Sequence, residues 1–185
     1  MIKPKINGTN IVIGPCRLSY VHVFERYVPK NGDPAGAKYS VSVLIPKGEK
    51  ETLDAIREAI EEAKKIGIYK EWAGKLPKNL DIALRDGDAK DGHEYDGNMY
   101  VNAKTGKRPG VVDRDKTPIT DEEEIYSGVW AYVSIGFYPY RKNGKDGIAC
   151  SLNNIMKFKD DEKFGGMTNA EDDFSDIDFD DEEDL

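Results

Sequence analysis

Val129–Tyr140 reads VWAYVSIGFYPY, Arg141–Gly147 reads RKNGKDG, and Ile148–Lys159 reads IACSLNNIMKFK. The first run alternates over its whole length, the pattern of a strand with two unlike faces. One parity (Val129, Ala131, Val133, Ile135, Phe137) is apolar and is expected to face an interior. The other carries Trp130, Tyr132, Ser134, Gly136, Tyr138 and Tyr140, a row of rings on the wetter side. The middle run has hairpin-turn chemistry, so the third run returns as the partner strand. A closing hairpin of this length makes the chain mainly β.

The segments before it agree. Thr9–Tyr27, TNIVIGPCRLSYVHVFERY, reads as one long strand bent near Gly14-Pro15. Val28–Ala37 is a loop by its Pro, Gly, Asn and Asp content. In Lys38–Lys47, KYSVSVLIPK, one face takes Tyr39, Val41, Val43 and Ile45, and the other takes Ser40 and Ser42. Lys47–Ile66 places Leu53, Ile56, Ala59, Ile60 and Ala63 at helical spacing, and Gly67 is expected to stop the helix. Short strands are expected in Asp81–Asp88, Asn98–Gly106 and Lys107–Asp115, and an acidic loop in Thr117–Gly128. The expected fold is an OB-like Greek-key barrel over residues 1–163 with one inserted helix, an open β-sandwich being the alternative.

Net charge conceals a division. The chain carries −8, from 27 basic and 35 acidic residues. Glu171–Leu185 holds ten acids and no base, so residues 1–170 balance at +2 and residues 1–159 at +4. The basic body therefore leads into an acidic stretch with too little apolar surface to offset its ordering entropy, and residues 164–185 are expected to form a disordered tail. No apolar run approaches the roughly 18 residues a membrane helix needs. The opening MIKPKINGTN has no apolar stretch behind its lysines, so a cytoplasmic location and no membrane partner are expected. Cys16 and Cys150 sit among apolar strand residues, outside any CxxC pair, and read as reduced core thiols.

Rings interleaved with cations point to a nucleic acid, because bases stack on aromatic faces while lysine and arginine follow the backbone. In the hairpin the candidates are Tyr132, Tyr138 and Tyr140 with Arg141, Lys142 and Lys145. A second group is Arg17, Tyr20, Phe24, Tyr27, Lys30, Lys38 and Tyr39, in the first strand, its loop and the next strand. A third is Tyr100, Lys104, Lys107 and Arg108. Parts for catalysis are missing. His22 and His93 are the only histidines, no nucleophile has a base beside it in a recognisable context, and no phosphate-loop or dinucleotide glycine pattern occurs. Neither an enzyme nor a cofactor or metal is expected. RDGDAKDG (Arg85–Gly92) departs from the EF-hand, with Asp91 where the invariant glycine belongs. Two other readings stay open: a metal-dependent nuclease or resolvase using Asp86, Asp88 and Asp91, and a virion assembly protein whose acidic tail binds a basic partner.

The order KYSVSVLIPK, helix, RDGD, terminal hairpin with SLNNIMKF, and acidic tail resembles the phage single-stranded DNA-binding proteins. That resemblance implies an OB fold, binding of single-stranded DNA without sequence preference, and roles in replication and recombination, in some members as a homodimer. It also implies that the tail competes with DNA and recruits replication proteins such as polymerase and helicase-primase. The tail residues assigned to partners are Asp172, Asp173, Phe174, Ile177, Phe179, Asp180, Asp181 and Leu185, the apolar ones serving as anchors. Tails of that family often end in phenylalanine, whereas here Phe174 and Phe179 lie inside and Leu185 stands last.

Overall fold

The computed structural model describes residues 1–165. Its strands are β1 (Lys5–Asn7), β2 (Asn10–Tyr27), β3 (Lys38–Pro46), β4 (Asp81–Ile82), β5 (Leu84–Asp86), β6 (Asn98–Thr105), β7 (Gly110–Val112), β8 (Trp130–Lys142) and β9 (Lys145–Lys159), with one α-helix, α1 (Lys50–Lys70). The antiparallel pairs β8–β2, β2–β3, β3–β6 and β8–β9, with the parallel pair β6–β9, close five strands into a barrel. This is the OB arrangement, and α1 is inserted between its second and third strands. The short strands β1, β4, β5 and β7 extend the sheet at its rims.

The hairpin that decides the class folds as its pattern requires. Val129, Ala131, Val133, Ile135 and Phe137 are all buried, none more than 3% exposed. The turn is Asn143-Gly144, with φ of 52° and 73°. Two consecutive left-handed residues twist a two-residue loop to match its strands, and Asn-Gly meets that demand. The interior is completed by Ile11, Ile13 and Leu18 of β2, Val41, Val43 and Ile45 of β3, and Val101 and Ala103 of β6. β2 bends as expected around Gly14-Pro15, where its register against β8 shifts between Ile13 and Cys16. Cys16 and Cys150 are free and buried, and burial pushes the Cys16 thiol up to about 12 and the Cys150 thiol higher still.

One expectation about α1 is corrected. Gly67 does not end the helix, which runs on to Lys70. Leu53, Ile56, Ala59, Ile60 and Ala63 form the buried stripe, and Gly67 continues it. A Cβ at Gly67 would lie 2.6 Å from the Trp72 ring and 2.7 Å from Pro139 Cβ, so the missing side chain lets the helix seat against β8 and the following loop. Full burial of Leu53, Ile56 and Ile60 contributes about 1.5–3 kcal/mol each, so packing holds the brace in place. Its outer face carries Lys64–Glu61 and Lys65–Glu62 ion pairs, exposed contacts worth little to stability.

Past β9 the chain stays attached through Phe164. Arg17 donates to the carbonyls of Gly128 (2.9 Å) and Glu162 (2.6 Å). Its guanidinium lies 4.2 Å from the Phe164 ring centroid. Phe164 packs on a small second cluster of Leu44, Tyr95 and Tyr100. The acidic tail residues Asp172, Asp173, Phe174, Ile177, Phe179, Asp180, Asp181 and Leu185 lie outside the described residues. Among the described residues no helix is long and apolar enough to cross a membrane.

Candidate nucleic-acid interface

The outer faces of β3 and β6 meet in register as Ser40 opposite Lys104 and Ser42 opposite Asn102. Small serines beside longer side chains leave a low floor. Strand pleating sends the core residues inward and these four outward. Higher walls rise on both sides of the floor. On one, β2 supplies Tyr20, His22 and Tyr27, joined by Lys90 from the loop after β5. On the other, β8 supplies Tyr138 and Tyr140, with Lys142, Lys38 and Arg85 around them. The two cavities share Asn102 and Lys104, so they form one groove crossing β2, β3, β6, β9 and β8 in barrel order.

Its rings are held in different ways. Tyr138 and Tyr140 lie opposite Ala149 and Gly147 in the β8–β9 register, and the Tyr140 ring packs over Gly147, where a Cβ would stand 2.6 Å from its hydroxyl oxygen. Tyr138 remains 42% exposed. The Tyr140 hydroxyl donates to Asp81 Oδ2 at 3.2 Å, while Arg85 pairs with the same carboxylate at 3.0 Å. Burial raises the hydroxyl pKa of both tyrosines, so they stay neutral donors at physiological pH. Across the groove the His22 and Tyr27 rings stack at 4.5 Å and 21°. Burial lowers the His22 pKa, which favours the neutral imidazole. Tyr20 is 56% exposed and has a φ of 46°, rare for a bulky residue and a mark of a locally constrained backbone. The floor is polar and pinned: Ser42 Oγ donates to Asn102 Oδ1 at 2.5 Å.

Of the residues singled out by sequence, Tyr20, Tyr27, Lys38, Lys104, Tyr138, Tyr140 and Lys142 come together here. The others do not line the groove. Tyr100 is 7% exposed and packs edge-on against Tyr95 at 5.1 Å in the small second cluster. Its neighbours Lys107 and Arg108 are exposed in the turn after β6. Arg17 is committed to the exit segment. Arg141 is committed to Asp146, with Nε–Oδ1 2.6 Å and Nη2–Oδ2 3.0 Å. Tyr132 packs edge-on against Phe158 at 5.6 Å. Lys145 lines a separate depression with Lys78 and Leu80. Phe24 is half-buried against the main core, Tyr39 lies beside the Arg26 guanidinium, and Lys30 is exposed in its loop. The groove residues that the sequence reading did not single out include His22, Ser40, Ser42, Asp81, Arg85, Lys90 and Asn102. Asn102 lies opposite Ser42 on the outer face of β6, and nothing local in the sequence joins that face to β2.

The carboxylates of the nuclease reading have another use. Asp86 and Asp88 converge on Lys47 Nζ, at 2.7 and 2.5 Å. The Lys47 ammonium holds both carboxyls below their usual range, aided by backbone N–H donors from Asp88 and Gly97. Among the described residues no three His, Cys, Asp or Glu side chains gather as a metal site.

The fold is similar to that of the single-stranded DNA-binding protein from bacteriophage Enc34 in complex with ssDNA. The two are 29% identical, with a TM-score of 0.74 over 85% of this chain and 90% of that one. It is similar, at the level of fold alone, to gp2.5, a single-stranded DNA-binding protein encoded by bacteriophage T7 (18% identity, TM-score 0.60, 96% and 97% covered). In sequence the chain is 32% identical over 188 residues to protein p50 of Acyrthosiphon pisum secondary endosymbiont phage 1, covering 95% of this chain and 97% of that protein. The family model described as "Enterobacter phage Enc34, ssDNA-binding protein" matches residues 9–185, and the chain accordingly belongs to that family, a family of binding proteins and not of enzymes.

Proposed function

We propose that this protein binds single-stranded DNA, without sequence preference, in the groove between the Tyr138–Tyr140 and Tyr20–His22–Tyr27 walls. The observation that carries the reading is the single groove itself, with rings on both walls and Lys38, Lys104 and Lys142 along it, which make no ion pair among the described residues. Stacking gives each base about 1–3 kcal/mol whatever its identity, and Lys38, Lys104 and Lys142 neutralise phosphates as the strand passes. The Enc34 relative, solved in complex with ssDNA, supports the same ligand here.

The reading extends to replication and recombination of phage DNA in the host cytoplasm. The acidic tail, with ten acids and no base in Glu171–Leu185, stands in for DNA in the groove when no strand is bound. Once displaced, it recruits replication proteins such as polymerase and helicase-primase, Phe174, Ile177, Phe179 and Leu185 serving as anchors. A homodimer, in which the tail of one copy reaches the groove of the other, belongs to the same reading.

Titration with oligo-dT, followed by quenching of intrinsic fluorescence and by gel shift, tests the ligand. Saturable binding at micromolar protein, weakened by salt, is expected, and absence of both signals refutes the reading. Deleting Glu171–Leu185 is expected to tighten binding at low salt and to matter less as salt rises, because the competition is electrostatic. An unchanged affinity removes the competing role of the tail and leaves the groove reading intact.

A further inference from the structure

The segment between β5 and β6 is tied down at several points. Lys47, just after β3, bonds Asp86 and Asp88. Asp86 Oδ1 accepts from the Asp88 N–H at 2.9 Å, and Asp88 Oδ1 accepts from the Gly97 N–H at 2.7 Å. At Gly87 a Cβ would stand 2.3 Å from the Tyr95 carbonyl oxygen and 2.5 Å from that of Asn98, so the two ends of the segment close on each other with no side chain between them. Tyr95 is fully buried at its base. This is a locked arm, and its one-turn 3₁₀ helix, Gly87–Ala89, leads directly into Lys90.

Lys90 Nζ lies 5.0 Å from the ring centroid of Tyr95 and 5.5 Å from those of Tyr20 and Tyr100. Three rings confine the ammonium, and a cation held by ring faces has few positions to lose on binding. The same side chain lines the groove beside Tyr20 and His22. Charged lysines ordinarily point into solvent, and nothing about packing three tyrosines requires a charge among them.

On the reading that this groove takes single-stranded DNA, we infer that Lys90 is a preorganised phosphate-binding residue at the Tyr20 end of the path. The arm clamped by Lys47, Asp86 and Asp88 serves to hold it there. A strand stacking on the exposed Tyr20 ring brings its phosphate to a cation that is already in place. Asp86 and Asp88, two of the three carboxylates that suggest a metal site in the sequence, thus act on DNA binding indirectly, through Lys47.

The test uses the full-length chain, oligo-dT and a series of salt concentrations. Loss of one phosphate contact lowers affinity about fivefold near 0.1 M salt and flattens the slope of log K against log salt by about 0.7. Lys90→Gln is expected to show both changes, and Lys90→Arg, which keeps the charge, neither. An unchanged slope in Lys90→Gln overturns the inference whatever happens to affinity, since loss of packing alone does not alter the number of released counterions. Lys47→Met is expected to weaken binding by unlocking the arm, and Lys47→Met/Lys90→Gln to bind no more weakly than Lys90→Gln alone; additive losses overturn the role of the arm. A wild-type protein that does not bind oligo-dT refutes the groove reading itself, an outcome distinct from either of these.

Discussion

Replacing Tyr138 with leucine separates stacking from packing at one position. The ring rests on β9 opposite Ala149 and keeps one side open to the groove. Leucine retains much of the apolar contact on the sheet side but has no face for a base. The stability cost of such a swap is about 1.5 kcal/mol or less, small beside the roughly 5–15 kcal/mol that holds a domain together. The binding cost is larger. A stacked base contributes about 1–3 kcal/mol, and about 1.4 kcal/mol is tenfold, so affinity for oligo-dT is expected to fall about 5- to 150-fold. Tyr138→Phe keeps the ring and is expected to remain within about twofold of wild type, since only the hydroxyl goes. Anisotropy of a labelled oligo-dT measures both variants across salt, with thermal unfolding run alongside. Neither variant removes a charge, so the salt slope stays at the wild-type value. If Tyr138→Leu unfolds like the wild type and binds oligo-dT as tightly, no base stacks on this ring, and the aromatic wall of the groove is not a binding surface.

Two further outcomes follow from the packing. Gly67→Ala tests the seat of the helix: propensity alone favours alanine by about 1 kcal/mol, but contacts of 2.6 and 2.7 Å force a shift costing about 1–3 kcal/mol. The net cost is about 0–2 kcal/mol, so at about 2–4 °C per kcal/mol for a chain of this size Tm is expected to stay level or drop by up to about 8 °C, and a rise in Tm shows that the helix does not sit as described. His22→Gln tests the half-buried imidazole. The unfolded chain takes up a proton near the ordinary value of 6.5 while the folded one resists it, so stability is full above that pH and declines below it. The fall in Tm between about pH 7.5 and about pH 5.5 is expected to be smaller in His22→Gln than in wild type, and equal falls in the two proteins contradict the assignment.

Strand parity was legible in the chain because each position reports its own face. The apolar row from Val129 to Phe137 is buried as its alternation requires, and Tyr138 and Tyr140 are on the opposite side. The local pattern is silent where a neighbour elsewhere in the chain decides. Tyr100 and Tyr138 both point off the barrel, yet Tyr95 and Leu44 cover the first, while the second stays 42% exposed among the described residues. Arg17 looked like Lys38 by charge, yet its partners are the carbonyls of Gly128 and Glu162, more than a hundred residues on. Gly67 met the local rule for a helix stop and was overruled by Trp72 and Pro139.

The linear order of residues alone therefore determined the β class, the inward row, the Asn143-Gly144 turn, the existence of one helix, and the separation of a basic body from an acidic end. All of these depend on periodicity, turn chemistry or charge counted over adjacent positions. Tertiary structure alone decided which cations are tied up in ion pairs, which rings are packed over, and that Tyr20 and Tyr138 border one groove. The physical reason is barrel closure: the parallel pairing of β6 with β9 brings the outer faces of β3 and β6 beside those of β9 and β8, and a contact between strands so far apart leaves no mark on either strand's own pattern.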